Sequence, residues 1–171
     1  MVTDRAKNEG YAEECLCLFF RIGRESCGIP LNEVQKVTEF SSLNRFPRLP
    51  PPVLGISHHR GRVITVISLP LILAEAAPGG PENSQAIDPR IKGSQRLLIL
   101  AREPRNIAIL VDQLMGTGQF RPLDQAGVRQ LGVSVGENDG RIVQTVDVDW
   151  FLDRVQKLTE TAVMDPAREG L

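Results

Sequence analysis

Three consecutive prolines at 50–52 and the segment VLGISHHRGRVITVISL that follows at 53–69 constrain the fold of this chain most strongly. Proline fixes φ and lacks a backbone N–H, so the chain enters this segment in an extended form outside a regular ladder. The β-branched run at 63–67 predicts a strand, and the Arg60-Gly61 pair between two apolar stretches predicts a tight bend. The segment therefore indicates two strands joined by a bend that presents an arginine.

Short apolar runs separated by Gly, Pro and polar turns make up most of the chain, and this pattern is typical of an all-β barrel or sandwich. Turn-forming residues at 23–26 and 103–106 each separate two apolar runs, so both predict hairpins. Two hairpins of similar build, one in each half, suggest two related barrels. The predicted strands are 15–22, 27–31, 53–57, 63–69, 96–101, 107–111 and 141–146.

The charge and composition of the 171 residues argue against two classes of partner. A formal net charge of −1 provides no basic field for phosphates, and 5% aromatic residues leave few side chains to stack on bases. We therefore expect no nucleic acid partner. No apolar run approaches the ~20 residues of a membrane-spanning helix, so we also expect a cytoplasmic protein without direct membrane insertion. One globular domain at 13–160 is expected to follow a flexible N-terminus at 1–12.

The cysteines and histidines do not have the pattern of a metal site. Cys15 and Cys17 are two apart on a predicted strand and share one face, where free thiols are most often small buried apolar groups. Cys27 has no second thiol close to it in the sequence. His58 and His59 are the only histidines, and neighbours on a strand point to opposite sides. We expect structural or surface roles for them, with no metal and no cofactor.

Two connecting segments have other patterns. Residues 32–37 predict one helical turn, because Asn32 is a suitable cap and Val34 and Val37 have an i, i+3 spacing; a short connector is the alternative. Residues 74–94 are rich in Pro and Gly and poor in large apolar side chains. Such a segment buries too little surface to offset its ordering, so it predicts a mobile loop.

Catalytic motifs are absent from the sequence, which has no phosphate-binding loop, dinucleotide glycine pattern or nucleophile elbow. Asp147 and Asp149 are close together, but a cap and a favourable charge at a helix N-terminus explain them more simply. Asp149 is predicted to cap a C-terminal helix, and residues 161–171 to form a frayed tail. The apolar side of that helix is formed by Phe151, Leu152, Val155 and Leu158.

Four blocks of sequence motifs follow one another along the chain. They are FRIGRESCGIP at 20–30 with VQKV at 34–37, RFP at 45–47 with the prolines and residues 55–69, RLLIL at 96–100 with ILVDQLMG at 109–116, and DGR at 139–141 with DVD at 147–149. Together they resemble the CheW-like family of bacterial chemotaxis coupling proteins. The likeness extends over nearly the whole chain.

This resemblance implies a mostly β fold, with two small SH3-like five-stranded β-barrel subdomains side by side and a C-terminal helix. It also implies a non-enzymatic scaffold that couples a transmembrane chemoreceptor to a CheA-type histidine kinase. The implied partners are the cytoplasmic tip of the receptor and the regulatory domain of the kinase, so the protein would be cytoplasmic and recruited to membrane receptor arrays. The stimulus and the motility system, whether flagellar, gliding or pilus-driven, stay open.

The resemblance also implies where the receptor binds. It assigns receptor binding to Arg60, Gly55 and Val34, with Gly61 as the structural turn residue. Two alternatives stay open from the residues themselves. Arg60 could instead pair with an interior carboxylate to fix the fold. The protein could be a small-molecule-binding or enzymatic β-barrel that uses the cleft between its barrels.

Overall fold

The computed structural model describes residues 14–76, 94–102, 106–123 and 132–164. Within these ranges the first half of the chain contains β1 (Cys15–Ile22), β2 (Glu25–Pro30), a 3₁₀ turn (Leu31–Glu33), β3 (Val34–Glu39), β4 (Val53–His59), β5 (Arg62–Ile67) and α1 (Leu69–Ala76). The second half contains β6 (Arg96–Leu100), β7 (Ile107–Val111), β8 (Gln113–Pro122), β9 (Val133–Asn138), β10 (Arg141–Val146) and α2 (Val148–Met164). Neither helix in these ranges is long and apolar enough to cross a membrane.

The strands divide into two five-stranded units. The first is a closed barrel in the order β1-β2-β10-β9-β8, and the second is a sheet in the order β3-β6-β7-β5-β4. The second sheet curls so that the chain after β3 reaches β4, where Asn44 and Ile56 exchange backbone hydrogen bonds of 2.8 and 2.9 Å. The predicted mostly β fold with two five-stranded units and a C-terminal helix is therefore confirmed.

Two interlocked repeats of the chain build the two units. Each repeat consists of a hairpin, three further strands and a helix. Strands β1 and β2 of the first repeat pair with β8 and β10 of the second, whereas β6 and β7 of the second repeat pair with β3 and β5 of the first. The repeat is visible in the sequence as GRVITVISL at 61–69 and GRIVQTVDV at 140–148. Neither half of the chain therefore contains a complete sheet.

Three apolar cores follow from this arrangement. One fills the closed barrel around Phe19 and Phe120, and another lines the second unit around Leu54 and Val66. The largest lies between the two units and the helices, and it includes Phe20, Ile29, Ile72, Leu98, Ile109 and Phe151. Strands β6 and β7 contribute side chains to both neighbouring cores, which explains why their sequences RLLIL and IAILV are apolar without alternation.

The predicted helical turn at 32–37 is wrong. Only Leu31–Glu33 forms a 3₁₀ turn, without a side-chain cap, and residues from Val34 onward form β3. A register shift between Val34 and Lys36 in the pairing with β6 explains the misleading spacing. Because a bulge adds one residue to a strand, Val34 and Val37 both face the large core although they are three apart.

The other differences concern helices and two polar strands. Helix α1 begins at Leu69, where a strand was predicted, and includes residues 74–76 of the predicted loop; Pro70 suits its first turn. Strands β8 and β9 are not predicted from the sequence. The cap of α2 is Asp147 rather than Asp149, because Asp147 Oδ1 accepts a hydrogen bond of 3.1 Å from the Trp150 N–H.

Several predictions concern residues outside the described ranges. They include the flexible N-terminus at 1–12, residues 77–93 of the predicted loop, and residues 103–105 of the second predicted turn. Helix α2 continues to Met164, so residues 161–164, which were predicted to belong to the frayed tail, are helical. The rest of that tail, 165–171, also lies outside the described ranges.

Candidate functional site

Arg60 and Gly61 form the turn between β4 and β5. Their φ angles are 47° and 77°, the combination of a type I′ turn, which matches the twist of the two flanking strands. His59 pairs with Arg62 where the turn begins and ends. The Arg60 side chain is exposed at the tip of the hairpin, which does not fit the alternative of an ion pair with an interior carboxylate. The hairpin therefore presents a guanidinium to the surroundings at one end of the second unit.

Gly55 has a different role, because it is buried inside β4. Its φ is 149°, and a Cβ built at this position would overlap the carbonyl oxygen of Asn44. This close approach arises where Asn44 pairs with Ile56, beside a register shift between Val53 and Gly55. Gly55 thus allows the segment after β3 to pair closely with β4, and it has no side chain with which to contact a partner.

Val34 begins β3 opposite Leu100 of β6. It is half-buried and packs against the large core between the two units. The part of its surface that stays exposed is apolar. A partner that contacts Val34 would therefore bind where the second unit borders the large core.

The edge strands β3 and β4 are joined by the side chain of His59. Its Nε2 lies 3.0 Å from Lys36 Nζ, and its Nδ1 lies 3.5 Å from Thr38 Oγ1. His58, its neighbour on β4, is exposed. The structural role expected for this histidine pair is thus seen at His59. The sequence gives no local signal for the contact with Lys36, because the two residues are separated by 23 positions.

These contacts determine which of the predicted receptor-binding residues lie together. Strand β3 and the chain after it run antiparallel to β4, since Lys36 lies beside His59 and Asn44 beside Ile56. Val34 is therefore at the same end of the second unit as Arg60. Both residues thus lie at this end, whereas Gly55 is buried inside β4.

Partial burial, followed by the positive charges of Lys36 and Arg60, lowers the pKa of His59 from its usual value of 6.5. The neutral imidazole is thus favoured in the folded protein. No group of three or more His, Cys, Asp or Glu side chains with the arrangement of a metal site occurs among the described residues.

The cysteines are free and lie mostly inside the protein. Cys15 Sγ is 3.5 Å from Cys17 Sγ, and the latter residue is fully buried. Burial, with a smaller contribution from Cys15, raises the pKa of Cys17 to about 12. Burial also raises the pKa of Cys27 to about 11. Cys17 therefore acts as a small apolar group, as expected, and so does Cys27, whereas Cys15 is partly exposed and not buried as its position beside Cys17 predicted.

Two exposed apolar side chains occupy equivalent positions in the two repeats. Val63 follows the Arg60-Gly61 turn and is 49% exposed. Ile142 follows the turn of Asp139 and Gly140, whose φ angles of 48° and 75° reproduce those of the first turn, and it is 74% exposed. Each five-stranded unit thus ends in a hairpin with a β-branched apolar side chain on its surface. The shared Gly-Arg followed by Val or Ile is the sequence signal for this feature.

A cavity of 620 Å³ lies between α2 and the second unit. Most of its lining is apolar and includes Val53, Ile56, Ile107 and Val155. Glu160 is the one carboxylate among the described residues that line it. The cavity therefore does not bring together the pair of acid and base groups that general acid–base hydrolysis uses.

Two interlocked five-stranded β units with exposed hairpin ends define the structural class of this protein. The CheW-like domain family matches residues 16–156, and the chain belongs to this family. Among solved structures, the scaffolding protein TtCheW from Thermoanaerobacter tengcongensis is similar, with a TM-score of 0.59 and 16% sequence identity. The match covers 82% of this chain and 88% of that chain, and at this identity it shows a shared fold. No curated protein matches the chain.

Proposed function

We propose that this protein is a non-enzymatic scaffold that couples the cytoplasmic tip of a chemoreceptor to the regulatory domain of a CheA-type histidine kinase. The observation that carries the proposal is the match of the CheW-like domain family over residues 16–156. The similarity to a scaffolding protein of the same fold supports it. In this role the protein is cytoplasmic and is recruited to receptor arrays at the membrane.

The receptor side of the scaffold is the end of the second unit that carries Arg60 and Val34. Arg60 offers an exposed charge at the hairpin tip, and Val34 offers a partly exposed apolar contact at the same end of the unit. Gly61 adopts a positive φ in the turn, and Gly55 leaves room for the backbone of Asn44 beside β4. A charge that sets specificity beside an apolar contact is a common combination in protein interfaces.

Arg60→Ala tests the receptor side. We expect the affinity for a chemoreceptor tip fragment to fall by about tenfold, the equivalent of ~1.4 kcal/mol. The free energy of unfolding should stay within about 0.5 kcal/mol of the parent, because the side chain is exposed. Arg24→Ala, in the exposed turn between β1 and β2, is the matched control and should bind normally. A lower melting temperature with unchanged binding would contradict the role of Arg60.

The kinase side is tested by direct binding to the regulatory domain of a CheA-type kinase from the same genome. The exposed side chain of Ile142, at the hairpin end of the closed barrel, is the candidate for an apolar contact with the kinase. Ile142→Ser should weaken binding without loss of folding, since the side chain is exposed. Absence of binding by the parent protein at micromolar concentration would show that the coupling function is wrong.

The cavity between α2 and the second unit is the feature that favours the alternative, a small-molecule-binding β protein. Its 620 Å³ lies within the range of ligand sites, roughly 300–1,000 Å³, and its lining is mostly apolar. A native-state ligand identified by mass spectrometry, together with failure to bind receptor and kinase, would favour this function over the scaffold.

A further inference from the structure

We propose that His59 is a positioning residue that holds the Arg60 turn against β3 while its imidazole is neutral, so that acid weakens receptor-side binding. The inference rests on the proposed function, in which Arg60 contacts the receptor. It adds a residue and a form of regulation to that function. It is carried by the contacts of His59 with two side chains of β3.

The partners of His59 determine which of its nitrogens carries the proton. A lysine ammonium group can only donate hydrogen bonds, so His59 Nε2, 3.0 Å from Lys36 Nζ, must accept. In the neutral ring the proton is then on Nδ1, where it points to Thr38 Oγ1 at 3.5 Å. The geometry therefore requires the neutral Nδ1–H tautomer, and one imidazole links β4 to two residues of β3.

Protonation of His59 removes this link. A proton on Nε2 would face the Lys36 ammonium group, so an attractive hydrogen bond becomes a repulsion between two cations. The titratable and charged groups on the surrounding elements are Lys36 and Glu39 on β3, Arg60 in the turn, Arg62 on β5 and His58 on β4 itself. Glu39 forms an ion pair with Arg96 at 3.8 Å. The groups that act on the His59 charge, Lys36 and Arg60, are both cations.

The turn depends on this link because His59 is the residue directly before Arg60. The β4–β5 ladder ends at the pair of His59 and Arg62, and the side chain of His59 ties that end of the hairpin to β3. Once the ring is protonated, the hairpin tip keeps its pairing within β4 and β5 but loses its lateral contact with β3. Arg60 is then no longer held in a fixed position relative to β3.

The direction of the pH effect follows from the neutral form being favoured in the folded state. The contribution of this link to the free energy of unfolding is complete above the usual pKa of 6.5 and is lost as the pH falls from 6.5 through the lower pKa of the folded protein. The folded protein therefore binds fewer protons than the unfolded chain in this window. Acid should loosen the β3–β4 edge before it affects the buried cores.

NMR of the imidazole nitrogens in the full-length protein tests the link without any partner. We expect the Nδ1–H tautomer at His59 near pH 7.5 and the ordinary Nε2–H tautomer at exposed His58. Lys36→Met should raise the pKa of His59, whereas the control Lys157→Met on α2 should leave it unchanged. An Nε2–H tautomer at His59, or a pKa that does not respond to Lys36→Met, would overturn the proposal.

Binding of a chemoreceptor tip fragment from about pH 7.5 to below the His59 pKa measured by NMR tests the consequence. The dissociation constant of the parent should rise by up to about tenfold per pH unit below the pKa of His59, the limit for one linked proton. His59→Gln should bind with little pH dependence, because a glutamine oxygen can accept from Lys36 but does not titrate. Equal pH dependence in both proteins would overturn the proposal. Absence of binding at any pH, with the NMR results as expected, would instead contradict the proposed receptor function and limit His59 to stabilising the edge.

Discussion

Asp112 accepts a hydrogen bond of 2.6 Å on Oδ2 from the backbone N–H of Gly23, although the two residues are 89 positions apart. Its other carboxylate oxygen accepts a hydrogen bond of 2.9 Å from Gln95 Nε2. Its own backbone N–H donates to the carbonyl oxygen of Arg21 at 2.9 Å. One side chain between β7 and β8 thus connects the hairpin of the first repeat to the segment that begins the hairpin of the second.

Asp112→Ala should lower the free energy of unfolding by about 1–3 kcal/mol, because hydrogen bonds to a charged group are lost at two donors. One of these donors, Gln95, is only 6% exposed, so the loss of its hydrogen bond to Asp112 lowers the free energy of unfolding more than at an exposed site. Urea unfolding measures the change.

Asp153→Ala is the control, because that carboxylate forms an exposed i, i+4 ion pair with Lys157 on α2. It should cost less than about 0.5 kcal/mol. Equal losses in the two variants would show that Asp112 does not connect the repeats energetically.

Substitutions at Gly55 and Gly61 should separate packing from turn geometry. Gly55→Ala places a methyl group on the backbone of Asn44, so we expect a loss of about 2–4 kcal/mol and a clearly lower melting temperature. Gly61→Ala meets no atom within 4 Å but requires a non-glycine residue at φ 77°, at a cost of roughly 1–2 kcal/mol.

Gly140→Ala provides the matched control for the turn. It lies at φ 75° in the equivalent hairpin, also with open space around it, and should lose as much stability as Gly61→Ala. Thermal unfolding ranks the three variants. A larger loss at Gly61 than at Gly55 would mean that the pairing of β4 with the segment after β3 tolerates adjustment.

The strands with strong local signals are those that the sequence predicts best. The bounds of β1, β7 and β10 agree with the predictions, because their β-branched and apolar runs are enclosed by clear turn residues. Strand β8 has the sequence QLMGTGQFRP, whose glycine and polar residues do not predict a strand. It nevertheless pairs with β1 over most of the length of β1. Its strand conformation comes from that long-range pairing rather than from local preference.

The candidate site was predictable only in part for a similar reason. The Arg60-Gly61 turn is a local feature, so the sequence locates it. The neighbours that decide its environment are distant in sequence: Lys36 contacts His59 from another strand, and Asn44 explains why Gly55 must be glycine. Contacts between the edges of a curled sheet have no periodicity in the sequence from which to derive them.

Thiol reactivity should distinguish the three cysteines. At about pH 8, pKa values near 12 and 11 leave about 1 in 10⁴ of Cys17 and about 1 in 10³ of Cys27 as thiolate, and both side chains are buried. We expect one thiol, the partly exposed Cys15, to react with Ellman's reagent in the native protein. All three should react in guanidinium chloride. Rapid reaction of two or more native thiols would contradict the burial of Cys17 and Cys27, and Cys15→Ser identifies the reactive residue.

The interlocked repeats lead to the prediction that two half-chains fold only together. Fragments 1–85 and 86–171 separate the repeats at a cut outside the described ranges. In the first fragment β3 lacks β6, its ladder partner, and the pair β1–β2 lacks β8 and β10. The second fragment lacks β1 and β2, which close the barrel formed with β8, β9 and β10. Each fragment alone should therefore show no cooperative unfolding, whereas an equimolar mixture should recover it.

Circular dichroism of the fragments and gel filtration of the mixture measure this complementation. The uncut control replaces residues 77–85 by a short Gly-Ser link, which changes loop-closure entropy by only about 0.6 kcal/mol per halving of length. Its melting temperature should stay within a few degrees of the parent, as about 1 kcal/mol shifts a domain of this size by roughly 2–4 °C. Cooperative unfolding of either fragment alone would contradict the exchange of hairpins between the repeats. In the complex, Asp112 of the second fragment accepts a hydrogen bond from the backbone N–H of Gly23 in the first fragment. Asp112→Ala in the second fragment should therefore weaken the complex.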